Sequence, residues 1–262
     1  MVAIFQGAAK PLDKSGNLAT MERAAAAASL AGAAIIVFPE LFLSGYNLGN
    51  RLAAAAEPIG GPSTLAMAEI ARTHRIALVA GLPERDAGQI FNSAILVDRD
   101  GQVRAAYRKI YLFGEENRFF SRGDDLIVVD LPSFRVGLAI CYDIEFPEVG
   151  RALARAGANL IVVPTANMLP YVEVATTLVR ARALENGVAV AYANQIGEDH
   201  GLTYTGQSGL VGPDGRDILR AGESAEALLC CPSTVSSVRK SATPLSTQLD
   251  DIGTHPLRVR IA

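Results

Sequence analysis

The chain has 262 residues, half of them hydrophobic and 19% charged, with a formal net charge of −3. This composition suits a large core in an α/β protein, and without a basic excess it argues against a nucleic-acid partner. Three cysteines cannot build a disulfide framework, three scattered histidines have no metal-ligand spacing, and no run of about 18 apolar residues offers a membrane span.

The N-terminal M-V-A-I-F-Q lacks the charged region and cleavage site of a secretory signal, so a reducing cytoplasm is the expected compartment. Residues 2–6 read as a first strand. An Ala-rich helix follows over about 18–31 and stops at Gly32, and A-A-I-I-V-F (33–38) is a second strand. Ser63 suits the N-cap of a helix running to Arg72. Strands are expected at 76–82, 91–98 and 103–108, the last two joined by the turn D-R-D-G (98–101). Two more lie at 126–129 and 134–140. A helix over 147–156 ends at Gly157, a strand covers 160–164, and a helix spans about 171–186. Strands at 188–194, 208–211 and 225–231 complete the pattern, with P-D-G (213–215) as a turn.

Alternating helices and strands with hairpins in each half predict mixed sheets flanked by helices. The organisation of 1–38 resembles that of 136–164. No linker-like shift occurs before about residue 232, so residues 1–231 are expected to form one domain. Beyond it the periodicity fades and Ser, Thr and Pro dominate up to Thr247, so 232–262 is expected to be an extended tail, either loosely held or wrapped on a partner subunit.

Three polar residues stand at the ends of apolar runs. Cys141 ends the strand of V-G-L-A-I-C-Y-D-I-E-F-P-E (136–148), just before a helix. A strand-to-helix turn holds a nucleophile on rigid backbone, and the N–H groups after it can face developing negative charge. Glu40 follows I-I-V-F-P, and Lys109 follows the strand at 103–108. Taken singly, each has a structural reading: a packed thiol, a loop acid, a solvated lysine. Together they supply a nucleophile, a proton acceptor and a cation for an oxyanion, beside the backbone N–H of Tyr142.

P-E-L-F-L-S-G-Y (39–46), R-K-I-Y-L-F-G-E-E (108–116) and I-C-Y-D-I-E-F-P-E (140–148) resemble, in order and separation, the three signatures of the nitrilase superfamily, the carbon–nitrogen hydrolases. V-V-P-T-A-N (162–167), R-A-R-A-L-E-N (180–186) and G-x-S-x-x-x-x-P-D-G (206–215) extend the resemblance over about residues 2–231. It implies an αββα sandwich, a homodimer or larger homo-oligomer, and no metal or organic cofactor. It also implies that Glu40 is the general base, Lys109 the oxyanion stabiliser and Cys141 the acylated nucleophile. A second glutamate should follow the lysine motif; of Glu115 and Glu116, the spacing of the family favours Glu116, which would orient the substrate amide. The C-terminal segment departs from the family, which often ends in an arginine-rich stretch and an aromatic pair.

Within the family, P-T-A-N and C-Y-D-x-E-F-P-E resemble amidases more than true nitrilases. Omega-amidase-like members carry Arg four positions after the nucleophile, where this chain has Glu145. A carboxylate there would repel an acidic substrate and suit a neutral or amine-bearing one; alternatively, Glu145 pairs with a nearby arginine. The expected reaction is hydrolysis of a small aliphatic or amino-acid-type amide through a Cys thioester, with Tyr46, Tyr142, Asn167 and Tyr171 lining the pocket. A lactam hydrolase, an N-carbamoyl hydrolase or a nitrilase would use the same Glu–Lys–Cys set, and an inactive scaffold is the non-enzyme alternative.

Overall fold

A computed structural model describes residues 1–231, 246 and 248–251. Its strands are β1 (Val2–Gln6), β2 (Ile35–Val37), β3 (Ala77–Asp86), β4 (Gln89–Val97), β5 (Val103–Arg108), β6 (Val128–Leu131) and β7 (Phe134–Leu138). They continue with β8 (Leu160–Thr165), β9 (Ala189–Asn194), β10 (Ile196–Asp199), β11 (Leu202–Thr205), β12 (Gly209–Val211), β13 (Asp217–Arg220) and β14 (Ala227–Cys230). The helices are α1 (Lys14–Leu30), α2 (Leu52–Ala55), α3 (Pro62–His74), α4 (Glu116–Phe119), α5 (Pro147–Arg155), α6 (Val179–Asn186) and α7 (Gln248–Asp251).

Two six-stranded mixed sheets form, ordered β14-β1-β2-β3-β4-β5 and β13-β12-β9-β8-β7-β6. Read from β14 in the first sheet, successive pairs run antiparallel, parallel, parallel, antiparallel, antiparallel. Read from β6, the second sheet gives the same series. The likeness of the two halves, visible in the sequence as two βαβ units, is therefore a repeated sheet topology.

Side-chain alternation makes the layers. On β1 and β2, Val2, Ile4, Ile35 and Val37 face the other sheet, meeting Val136, Leu138, Leu160 and Val162 in one apolar layer. Their neighbours Ala3, Phe5 and Ile36 face outward onto Met21 and Ala25 of α1 and Met67 and Ala71 of α3. On the far side, Ile161 and Val163 of β8 pack on Leu153 of α5 and Val179 and Ala183 of α6. The result is an αββα sandwich.

Several elements differ from the expected ones for local reasons. Helix α1 starts at Lys14 rather than 18 because Asp13 caps it, accepting from the Gly16 N–H at 2.9 Å. Strand β3 runs through Pro83 to Asp86; β2 pairs with it only as far as Val79, so Pro83 interrupts no ladder on that side. The helix expected over 171–186 opens with a wide π turn over Val174–Leu178 before α6. The hairpin β10–β11 was not expected, because β10 has no buried residue and β11 buries two consecutive ones, Tyr204 and Thr205, so neither alternates. The expected extended course of 232–262 lies outside the described residues, except at 246 and 248–251. There Leu249 of α7 packs against the α5–α6 core.

Candidate active site

Strand β7 delivers the chain to Cys141 through Ala139 and Ile140. Cys141 takes a left-handed backbone conformation (φ 47°), uncommon for a residue with a side chain, and opens a 3₁₀ turn over Cys141–Glu145. The first N–H of the turn to bond back is that of Asp143, to the Ile140 carbonyl at 3.0 Å, which leaves the Tyr142 N–H ahead of it without a partner inside the turn. The fully buried Asp143 carboxylate braces this turn. It accepts from the Ile140 N–H at 3.0 Å, the Tyr111 N–H at 2.9 Å and the Tyr107 hydroxyl at 2.8 Å. Tyr107 and Tyr111 flank Lys109, so one carboxylate ties the thiol's turn to the lysine's segment.

Glu40 sits just past β2. Its backbone N–H reaches the Thr165 carbonyl of β8 at 3.2 Å, and its carbonyl accepts from Gln195 Nε2 at 2.9 Å. Lys109 Nζ donates to Glu40 Oε1 at 2.7 Å and to Glu116 Oε1 at 2.8 Å, and both Glu40 and Lys109 are fully buried. Glu116 also accepts from the Tyr46 hydroxyl at 2.7 Å and, through Oε2, from the Phe113 N–H at 2.9 Å. Of the two adjacent acids, Glu116 meets the lysine, while Glu115 is exposed and pairs with Arg118 at 2.6 Å. Asn92 donates to Glu40 Oε1 at 2.7 Å. Glu40 Oε1 therefore holds two donors, and Glu40 Oε2 is a buried oxygen with none.

The electrostatics follow from this burial. Removal from water pushes the Glu40 carboxyl up to about 7; the charge of Lys109 opposes the rise and that of Glu116 adds to it. Burial disfavours the Lys109 ammonium, but Glu116 and Glu40 outweigh it and hold the group charged, well above the ordinary lysine range. The Cys141 thiol is pushed up, first by burial and then by the charge of Glu40. A thiol so placed rests protonated and needs a base to become a nucleophile.

Cys141 opens onto a cavity of about 200 Å³ lined by Tyr46, Phe113, Tyr142, Glu145, Asn167, Met168 and Tyr171. All five residues expected to line the pocket are among them. Phe113 packs edge-on against Tyr142 and Tyr171, with ring centroids 5.3 and 5.5 Å apart. Asn167 is held by its own N–H to Asn194 Oδ1 at 2.8 Å and by Nδ2 to the Tyr171 carbonyl at 2.8 Å. Arg182 donates to the backbone carbonyls of Ile144 and Glu145, and its ion pair is with Glu185 at 3.1 Å, so it does not neutralise the Glu145 carboxylate by direct contact. Burial raises the Glu145 carboxyl, with Lys109 and Arg182 opposing. Among the described residues no group of three or more His, Cys, Asp or Glu side chains is arranged to hold a metal ion, and no helix is long and apolar enough to cross a membrane.

Sequence reasoning missed Asp143 and Asn92. Asp143 lies inside the motif C-Y-D, where a buried acid two residues past the thiol was the available signal. Asn92 lies in F-N-S-A-I-L-V-D, where an amide inside an apolar strand was the only mark.

The carbon-nitrogen hydrolase family matches residues 1–241. A hydrolase encoded in the pqqF 5′ region of Pseudomonas protegens is 48% identical over 225 residues, 84% of this chain and 78% of that protein. An (R)-stereoselective amidase of a Pseudomonas species is 41% identical over 189 residues, 72% of this chain and 69% of that one. A mutant of the amidase from Nesterenkonia AN1 superposes with a TM-score of 0.86 at 35% identity, covering 97% of this chain and 94% of its own. A second mutant of that amidase carries the acetamide moiety of fluoroacetamide on its active-site cysteine (TM-score 0.84, 36% identity, 92% of each chain). A third holds butyramide (TM-score 0.82, 36% identity, 90% of this chain and 92% of that one). Matched along most of its length in both sequence and fold, the chain belongs to the carbon-nitrogen hydrolases of the nitrilase superfamily.

Proposed function

We propose that the protein is an amidase that hydrolyses small carboxamides R–CO–NH₂, neutral or amine-bearing, to the acid and ammonia through a thioester on Cys141. The observation that carries this reading is the buried Glu40–Lys109–Glu116 chain, with contacts of 2.7 and 2.8 Å, behind a half-buried thiol in a small aromatic-walled pocket. The structural neighbour that holds butyramide is consistent with it.

The chemistry runs as follows. Glu40 Oε2, the unpartnered oxygen, takes the Cys141 proton as Sγ bonds to the amide carbon. The carbonyl oxygen becomes an oxyanion facing the Lys109 ammonium and the Tyr142 N–H, charges and dipoles already in place. As the tetrahedral centre collapses, the C–N bond breaks and the proton on Glu40 passes to nitrogen, so ammonia leaves and a thioester remains. Water then gives its proton to Glu40 as its oxygen bonds to the thioester carbon. The C–S bond breaks, the acid departs, and the sulfur recovers the proton. Glu116 holds Lys109 in line and has a lone pair left on Oε2 for the substrate N–H. A base that titrates near 7 can both take and return a proton at neutral pH.

Glu145 supports the selectivity. A carboxylate on the pocket wall with no ion pair to Arg182 repels a second carboxylate on the substrate and attracts an amine.

The test is ammonia release by wild type and Cys141→Ala protein on a mixed panel. The panel holds short aliphatic amides, amino-acid amides, omega-amides of dicarboxylates, lactams, carbamoyl compounds and nitriles. Release from neutral or amine-bearing amides, abolished in the variant, is the expected result. Turnover confined to lactams, carbamoyl compounds or nitriles would overturn it, as would no turnover by folded protein.

A further inference from the structure

A second cavity, of about 400 Å³, adjoins the one that exposes Cys141. The two share Tyr46, Phe113 and Met168, and the larger one also touches Glu116. It lies between two small apolar clusters that both include Tyr46. One holds Leu52, Leu112 and Phe120, and the other Ala166, Met168 and Tyr204 with Leu202 of β11 packed on it.

The polar groups on its wall each bond to protein, with one lone pair of Glu116 Oε2 left over. Glu116 spends Oε1 on Lys109 and Tyr46 and accepts the Phe113 N–H with Oε2. Glu115 pairs with Arg118. Asn47 bonds through its backbone N–H and Nδ2 to Asp199, at 3.3 and 3.2 Å. What the space offers is hydrocarbon: Leu52, Phe119, Phe120 and Leu202, beside the three shared residues. A cavity of this character, sharing three wall residues with the one that exposes Cys141, takes an uncharged apolar group. Ammonia, the leaving group, needs no such room, so the space serves the acyl side of the substrate.

We propose that this annex is an acyl-arm subsite: the enzyme prefers primary amides whose acyl group carries an apolar arm, phenylalkyl or a chain of about six to eight carbons, that passes Tyr46, Phe113 and Met168 to lie against Leu52, Phe120 and Leu202. This rests on the amidase reading and goes beyond it by naming the shape of R.

The experiment uses acetamide, butanamide, hexanamide, octanamide and 4-phenylbutanamide. Turnover is measured on wild type and on Leu202→Trp and Phe119→Trp, two variants that fill the annex from different segments. Affinity is measured separately by calorimetry on Cys141→Ala protein with and without Leu202→Trp. The expected kcat/KM rises about fourfold for each methylene that enters the annex, and the hexanamide-to-acetamide ratio collapses in both filling variants. The dissociation constants of the Cys141→Ala protein should fall along the same series. A series flat in both turnover and affinity, with acetamide still hydrolysed, overturns the subsite and leaves the amidase reading standing; that is the outcome if another segment or a second copy of the chain fills the space. A chain-length gain in affinity that Leu202→Trp removes, with no turnover of any amide, supports the subsite and overturns the amidase reading instead. A chain-length gain that neither filling variant reduces also overturns the subsite, because the arm would then lie elsewhere.

Discussion

Replacing Asn92 by alanine should move the acid limb of the kcat/KM profile to higher pH. In the native site Glu40 is pushed up to about 7, chiefly by burial, and the hydrogen bond from Asn92 is one of the contacts that favours its ionised form. The reaction needs that form, so kcat/KM should be lost as pH falls through about 7. A hydrogen bond to a charged group contributes about 1.5–3 kcal/mol, equivalent to about one to two pH units. A rise of one unit takes the ionised fraction at pH 7 from about a half to about a tenth. The variant should therefore lose about fivefold in kcat/KM at pH 7 and recover above about pH 9. The Asn92 backbone carbonyl, which holds the Lys109 N–H at 2.8 Å, is kept in the variant. Ammonia release across a pH series is the assay. A curve lowered at every pH with its midpoint unmoved would refute the reasoning, because it would make Asn92 a packing residue that leaves the proton affinity of Glu40 alone.

Lys109→Met leaves Glu40 and Glu116 buried without their shared cation, and should abolish turnover and cost about 3–5 kcal/mol in denaturant unfolding. That cost should shrink as pH falls through about 7 and the Glu40 carboxyl takes up a proton. Asp143→Asn removes the charge that gathers the Ile140 and Tyr111 N–H groups and the Tyr107 hydroxyl; kcat should drop about a hundredfold with KM less affected, and an unchanged kcat would refute the bracing role. Glu145→Arg should shift the ratio of kcat/KM for omega-amides of dicarboxylates over amino-acid amides by at least about tenfold toward the acids. Gly81→Ala places a Cβ against the backbone nitrogen of Leu41, beside Glu40, whereas Gly137→Ala meets only the Leu153 side chain at 3.2 Å. Thermal melts should show both variants destabilised, but only Gly81→Ala should lose about a hundredfold in kcat.

What the sequence carried and what it hid divide along physical lines. Cys141, Glu40 and Lys109 were legible because each is a polar residue that abruptly ends an apolar run, and such ends fall where strands leave a sheet. Glu116 was legible only through the motif, since nothing in G-E-E-N separates it from its exposed neighbour Glu115. The difference is made by a turn that folds Glu116 back onto Lys109, seven residues earlier. Asp143 and Asn92 were hidden because their roles depend on partners far along the chain: Tyr107 is 36 residues from Asp143, and Glu40 is 52 from Asn92. The hairpin at β10–β11 was hidden because it forms a two-stranded sheet of its own, outside the sandwich: β10 has no buried residue and β11 buries two consecutive ones, Tyr204 and Thr205, so neither strand leaves a period-two pattern. Leu202, which walls the larger cavity, was missed with it.

The site also depends on how the two sheets are set against each other. Glu40, Lys109 and Asn92 leave or belong to the first sheet, and Cys141 leaves the second. The apolar layer between the sheets holds them together, but apolar burial is non-directional and fixes no register. Register comes from polar ties at the reacting end: the Glu40 N–H to the Thr165 carbonyl at 3.2 Å, Gln195 to the Glu40 carbonyl at 2.9 Å, Tyr107 to Asp143 at 2.8 Å, and the Ser208 N–H to the Gln6 side chain at 2.9 Å. Each is a group that would be left unpaired in the interior if the sheets slid, at about 1–3 kcal/mol apiece. A misplacement of about 1 Å between base and thiol is enough to cost about two orders of magnitude in rate. These buried polar residues, which sequence composition alone would count against a stable core, are therefore what keeps the Glu40 carboxyl, which leaves one sheet, registered with the Cys141 thiol, which leaves the other.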